Sequence, residues 1–375
     1  MTQKLTNTMF TGTLASSKLA GAFGSNDGSA LTGLGGSGAT ISASDPTAST
    51  NPAGGVGTLW SNSTSGELFC CTTATAGSNI WTNVGSGTGD IRPFYYQGGT
   101  HAYTAGGGSG AGAKVIERYP FATQTNGTDI GDVFTDSATN NAGGKSSTHG
   151  YAMGNNIPAV ADTMQKYAFG STTSGTDVGN LTIPRYGPSA SSSGSHVYAA
   201  GGDGSVDNRI DKVTTASDAN ATNVGNLINN IWYAAGHSSE THGWVSGGFP
   251  TTNVIQSYPF ASDAGSTDIA DLATSRRDTT GNTSSTHGYT SGGYNTIDTI
   301  EKFTFASTGT ATDVGNLMSG DDFHMPGSSD THGYVSGGRN NTTRIQRFSF
   351  SSDGNATSWA SLSTAKGSNG AGTQN

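Results

Sequence analysis

The sequence predicts an all-β protein, a β-propeller of seven four-stranded blades with six as the alternative, and three observations carry that prediction. An octapeptide recurs as THAYTAGG at 100–107, THGYAMGN at 148–155, SHVYAAGG at 195–202, THGWVSGG at 241–248, THGYTSGG at 286–293 and THGYVSGG at 331–338. Its histidines, His101, His149, His196, His242, His287 and His332, are spaced 45 to 48 residues apart, which means one supersecondary unit repeated. The composition agrees: 58 of 375 residues are Gly and 11% are charged, which suits short strands and tight turns better than a disordered chain.

In chain order, residues 1–56 come first and are expected to form an extended N-terminal attachment arm. They are rich in Ser, Thr, Ala and Gly, and Asp45-Pro46 and Asn51-Pro52 interrupt regular structure. Such a segment cannot bury a core of its own and is expected to order on a partner or on copies of itself. The opening MTQKLTNTMF has no apolar h-region, so a signal peptide is not expected, and no window approaches the ~18 apolar residues of a membrane span.

From Gly57 the strands begin. GTLW, ELFCC and IWTNVG, within 57–85, read as the second, third and fourth strands of a blade that lacks its first. Cys70 and Cys71 are the only cysteines, and neighbours on a strand point to opposite faces, so they read as packing residues rather than a disulfide or metal site.

The fifth unit shows the full pattern: a polar strand within 275–285, the motif strand at 287–292, a Gly-Gly turn, TIEKFTF at 299–305 and TDVGNL at 312–317. The third-strand signature recurs as IERYPF (116–121), MQKYAF (164–169), IDKVTT (210–215), IQSYPF (255–260), IEKFTF (300–305) and IQRFSF (345–350). The fourth recurs at 128–133, 176–181, 222–227, 267–272, 312–317 and 357–362. Two independent motifs in constant order leave chance similarity a poor explanation. The final STAKGSNGAGTQN, 363–375, aligns with first strands but has no second strand after it. It is expected to complete the blade begun by 57–85, so that a propeller over 57–375 closes as seven units of about 46 residues.

The histidines invite a metal or acid-base reading, but symmetry spreads them around a ring, whereas a zinc site gathers three or four ligands on one ion. Each is expected instead to bond a neighbouring backbone group or the Asp of TDxG. No GxSxG elbow, P-loop, HExxH or isolable carboxylate pair is present, so no enzyme, catalytic residue, metal ligand or cofactor is expected. GGDGSVDN at 201–208 is only faintly like a calcium loop through Asp203 and Asp207, and reads as a turn. The formal net charge is −9, and Lys and Arg cluster only at Arg276 and Arg277, which are expected in a turn, so nucleic acid is not an expected partner.

The loops after the Gly-Gly pairs, 108–114, 156–162, 203–209, 249–253, 294–298 and 339–344, differ in length and chemistry. In a propeller they share one face, and variable loops on a rigid scaffold are where binding concentrates. Phe249, Tyr294 and Arg339 are the expected contact residues.

The Gly-Gly doublet closing the second strand, the aromatic ending the third and the hydrophobic fourth strand resemble the kelch repeat over 57–375. The fourth-strand Trp of that family is matched only at Trp359 and Trp81, and Gly154-Asn155 replaces one Gly-Gly. Separately, SDPTAS, GTLWSNSTSGELFCC and SNIWTNVG within 41–85, with LASSKLAGAF and GSALTGL before them, resemble a module of tail fibres and other virion proteins of tailed bacteriophages. That resemblance implies a virion structural protein, a tail fibre or similar appendage assembled in the host cytoplasm. Residues 1–50 would dock to other virion proteins, a homotrimer being one form, and the propeller would meet a host-surface receptor or glycan without membrane insertion. A capsid decoration protein with a stabilising role, a glycan-acting propeller enzyme and a cellular interaction scaffold are the alternatives.

Overall fold

The computed structural model describes residues 39–84, 95–108, 113–134, 139–203 and 208–375, and the named elements within them are all strands. The chain divides into two compact units, residues 1–93 and 94–375. Seven sheets form among the described residues, one in the first unit and six in the second.

In the first unit Thr40–Ser42, Leu59–Asn62, Leu68–Thr73 and Ile80–Asn83 make one sheet in that order. Alternation along Leu68–Thr73 sends Phe69 and Cys71 into a small core with Trp81, on whose ring Trp60 packs edge-on at 5.9 Å. Cys70 faces the other way and is half-buried. Residues 39–56 belong to this unit rather than to a separate arm. Thr40–Ser42 pairs in parallel with 60–62, the Asn62 amide donates to Asp45 at 2.7 Å, and Asn79 donates to the carbonyls of Ala48 and Thr50. Residues 1–38 of the expected arm lie outside the described residues.

The second unit contains six blades, antiparallel except for a short parallel pairing of 309–310 on the edge of one at 270–271, and its closure departs from expectation. The C-terminal strand Ala371–Gln374 pairs with His101–Ala105, in the order 371–374, 101–105, 115–120, 128–132, and not with residues 57–85. The expected hybrid blade therefore exists, but its other three strands come from the first octapeptide repeat. The sheet over 57–85 takes its fourth strand from Thr40–Ser42, a parallel pairing that no hairpin turn announces. The six innermost strands, Ala142–Lys145, Ser189–Ser192, Ala235–Ser238, Thr280–Thr283, His324–Ser328 and Ala371–Gln374, each touch the next, and the last touches the first. This β-propeller-like ring holds six blades, and the seventh sheet lies in the other unit.

The octapeptide builds each blade and its junction with the next. The residue after the histidine stands opposite a bulky third-strand side chain: Gly150 opposite Tyr167, Gly243 opposite Tyr258, Gly288 opposite Phe303 and Gly333 opposite Phe348. A Cβ at Gly288 would overlap the Phe303 ring. Where the chain has Val197 instead, its partner is Val213, so the volume is kept. The motif aromatic packs on the last aromatic of the next blade's third strand, as in Tyr103 on Phe169 at 4.7 Å, Tyr198 on Phe260 at 4.8 Å and Tyr289 on Phe350 at 4.7 Å. Tyr334 of the last blade packs on Phe121 of the first at 4.8 Å, which closes the circle. Each such pair contributes about 0.5–1.5 kcal/mol beyond its buried area.

A second set of junctions lies deeper. The side chain after the third-strand Ile or Met accepts a backbone N–H of the preceding blade's outermost strand, inside the strand at Ser363 and Ala273 and just beyond it at the other four junctions. Gln165 takes Phe134 N–H, Gln256 takes Ile228 and Gln346 takes Met318. The intervening junctions use carboxylates: Glu117 takes Ser363, Asp211 takes Thr182 and Glu301 takes Ala273. Among the described residues only the carboxylate junctions carry a buried cation, with Lys366 3.9 Å from Glu117, Arg185 2.9 Å from Asp211, and Arg276 paired with Glu301. Glutamine and ion-pair junctions thus alternate around the ring.

Candidate ligand-binding face

Entries to the innermost strands and the loops after the Gly-Gly pairs meet on one face of the ring, in three concentric circles. The inner circle is Asn140, Gly187, Tyr233, Asp278, Phe323 and Asn369. Gly187 N–H donates to Asn140 O, Tyr233 to Gly187 O, Asp278 to Tyr233 O, Phe323 to Asp278 O and Asn140 to Asn369 O. That head-to-tail chain explains the left-handed φ of Asn140 (57°), Gly187 (62°), Tyr233 (54°), Asp278 (58°) and Phe323 (59°). Left-handed backbone is unusual for non-Gly residues, and here the rim's own hydrogen bonds hold it.

The middle circle includes Tyr186, Trp232, Arg277 and Asp322, and the outer one Asp203, Phe249, Tyr294 and Arg339. Backbone bonds lock one to the other: Asp203 N–H to Tyr186 O, Phe249 to Trp232 O, Tyr294 to Arg277 O and Arg339 to Asp322 O, at 2.8 to 3.0 Å. The side chains are therefore mounted on a rigid frame, although they come from separate loops.

Their chemistry is concentrated on one sector. Trp232 packs on Phe249 at 4.7 Å, and the Arg277 guanidinium lies 4.7 Å from the Phe249 ring and 4.0 Å from that of Tyr294. Arg339 stands over Phe323 at 4.3 Å and Tyr294 at 5.7 Å, with Asp322 2.6 Å from its Nε and Asp278 3.5 Å from a terminal nitrogen. Tyr233 bridges Phe323 and Tyr186, and the Tyr186 hydroxyl donates to Asp203 at 2.5 Å. Elsewhere on the same circles stand Thr139, Asn140, Asn156 and Asn369, which are small and polar.

Burial, with the neighbouring Asp322 charge, pushes the Asp278 carboxyl up to about 6, against the pull of Arg277 and Arg339. The bond to Asp203, then burial, raises the Tyr186 phenol to about 12. Hydrogen bonding to Asp322 raises Arg339 above the usual guanidinium range.

Inside the rim a narrow axial channel of about 60 Å³ runs between the innermost strands, past Ala190, Gly236 and Gly281, to Tyr96. The backbone of 95–97 closes that end, where Lys145 Nζ donates to the carbonyls of Tyr95, Tyr96 and Gln97 at 3.2 to 3.4 Å. Burial lowers the Lys145 amine to about 8.

Phe249, Tyr294 and Arg339 are therefore brought together through Arg277 and Phe323. The middle and inner circles were not read from the sequence. Their residues lie just before the innermost strands, and the signal for them is that RYG (185–187), IWY (231–233), RRD (276–278) and DDF (321–323) differ at aligned positions. Arg276 is also not in a turn: it ends Thr267–Arg276, is 1% exposed and pairs with Glu301, whereas Arg277 follows the strand. Asp203 serves Tyr186, and Asp207 lies outside the described residues, as do parts of the loops 108–114 and 203–209.

The six motif histidines form no site. Nδ1 of each lies 2.8 to 3.0 Å from the hydroxyl of the preceding Thr or Ser. The expected partner, a backbone group or the TDxG Asp, is replaced by that side-chain hydroxyl, while the TDxG aspartates Asp129, Asp177 and Asp313 cap their own glycine N–H groups. Among the described residues no group of three or more His, Cys, Asp or Glu is placed to hold a metal ion.

Fold and face together define a rigid ring scaffold that presents aromatic rings, two arginines and carboxylates on one sector. Comparison with protein-family models and with curated proteins finds no match.

Proposed function

We propose that the chain is a bacteriophage virion protein, a tail fibre or similar appendage, attached through its N-terminal residues and recognising the host surface with the second unit. The recognition half rests on one observation: Trp232, Phe249, Arg277, Tyr294, Phe323 and Arg339, from separate loops, form a continuous aromatic and arginine sector on a backbone-locked face. Such groups, partly exposed and pre-positioned, bind without a large ordering cost. The virion half rests on the likeness of residues 41–85 to phage fibre modules.

Adsorption tests it. Particles carrying F249A/Y294A in this chain are expected to adsorb to host cells at least tenfold more slowly than wild type, with normal particle yield. Adsorption at the wild-type rate sinks the recognition reading, and absence of the chain from purified particles sinks the virion reading.

A glycan-acting enzyme is the second reading, favoured by Asp278 and Asp322 flanking Arg339 with the Asp278 carboxyl at about 6. It predicts release of reducing ends from host polysaccharide by the purified chain, abolished in D278N.

A further inference from the structure

We infer that Arg277 is the anion-binding residue of this face and that the ligand is a carboxylated glycan, an inference that rests on the recognition reading above. The arginines near it are already committed. Arg185 and Arg276 are buried against Asp211 and Glu301, and Arg339 is held by Asp322.

Arg277 is not so held. Its nearest carboxylate, Asp278, is 3.7 Å from Nε, outside hydrogen-bond reach, and buried Nε has no hydrogen-bond partner among the described residues. Two rings from neighbouring blades, Phe249 and Tyr294, hold the guanidinium in place without using its N–H groups. Its side chain is 24% exposed. A planar donor fork fixed by stacking, partly open and lacking a hydrogen-bonded counterion is suited to bidentate capture of a carboxylate. Asp278 competes weakly, because it is shared with Arg339 and stands beyond hydrogen-bond distance of the Arg277 Nε.

The surroundings identify the rest of the ligand. Beside Phe249 and its partner Trp232 lies an open cavity of about 460 Å³ lined by residues 229–232 and 250–252, among them Asn229, Asn230, Ile231, Trp232 and Thr251. An aromatic wall with amide and hydroxyl groups matches a pyranose ring, whose C–H face packs on an indole while its hydroxyls pair with amides. A sugar ring there, continuous with a carboxylate on Arg277, describes an acidic saccharide of the uronate type. Sulfated sugars share the negative charge but not the planar two-oxygen fork.

Affinity electrophoresis of the full chain through gels containing polygalacturonate, its carboxyl-reduced neutral form or dextran sulfate tests the inference. Polygalacturonate is expected to retard the wild type most. R277Q should weaken that retardation at least tenfold, R277K should recover part of it, and the smaller effect of the neutral polymer should not change. An unaltered thermal midpoint in R277Q separates lost binding from lost fold. Equal retardation of R277Q and wild type, stronger retardation by dextran sulfate, or no retardation by any polymer overturns the inference. Failure of the virion reading shows separately, in the adsorption and particle-content assays, and leaves the gel result standing.

Discussion

The alternating junctions allow one stability prediction to be worked through within the molecule. Glu301 accepts Ala273 N–H and pairs with Arg276, whose guanidinium also donates to Thr299 Oγ1 at 2.7 Å and Thr299 O at 3.1 Å. Burial lowers the Arg276 pKa, and Glu301 opposes that shift, so the charge is kept by its partner. E301Q preserves the acceptor for Ala273 but strands a buried cation, which costs about 3–5 kcal/mol. The glutamine junction at Gln256 shows the repair, because its residue aligned with Arg276 is the buried, apolar Ile231. R276I/E301Q should therefore be more stable than E301Q, with a coupling energy of at least about 2 kcal/mol, reduced by the loss of the bonds to Thr299. Urea unfolding of wild type, both single variants and the double variant measures it. Additivity within about 0.5 kcal/mol would refute the claim that the two junction types are interchangeable solutions.

Three further outcomes follow from the structure. His237 is fully buried, with Nδ1 3.0 Å from Asn282 O and Nε2 2.9 Å from Ser246 Oγ, and burial lowers it to about 4. Below the ordinary histidine pKa the unfolded chain takes up a proton that the folded one refuses, so this group's contribution, up to about 3 kcal/mol, is present above pH ~6.5 and is lost towards pH ~4; urea midpoints across that range should fall less steeply in H237Q. G288A should cost about 1–3 kcal/mol by forcing apart the strands at Phe303, and G288A/F303V should recover much of it, following the Val197–Val213 precedent. Residues 94–375 alone should unfold cooperatively by calorimetry, because their six sheets use no strand from 1–93; loss of cooperativity would mean that the first unit supplies part of the ring.

Much of the second unit was legible in the sequence because repetition makes local signals additive. The octapeptide, the third-strand Ile and the TDxG turn each mark a strand, and their constant order marks the blade. The Gly-Gly loops likewise mark where Phe249, Tyr294 and Arg339 stand, grouped around Arg277 and Tyr294. What stayed hidden was long-range or context-dependent. Pairing of Ala371–Gln374 with His101–Ala105, and of Thr40–Ser42 with Leu59–Asn62, has no turn chemistry between partners, so nothing local announces either. Arg276 and Arg277 are identical neighbours, yet one is a buried counterion and the other a surface platform. That difference comes from where the outermost strand ends, and strand ends are poorly marked in a chain this rich in Thr and Ser.

The closing strand also sets a schedule for the molecule's birth. His101–Ala105 must wait for residues 371–374, which are made after the strands of the other five blades, before its open edge is paired. Until then the nascent chain carries an unsealed blade, and a product that stops before residue 371 never seals it. Completion of the ring thus depends on pairing across most of its length, so that only a chain that carries residues 371–374 seals its first blade.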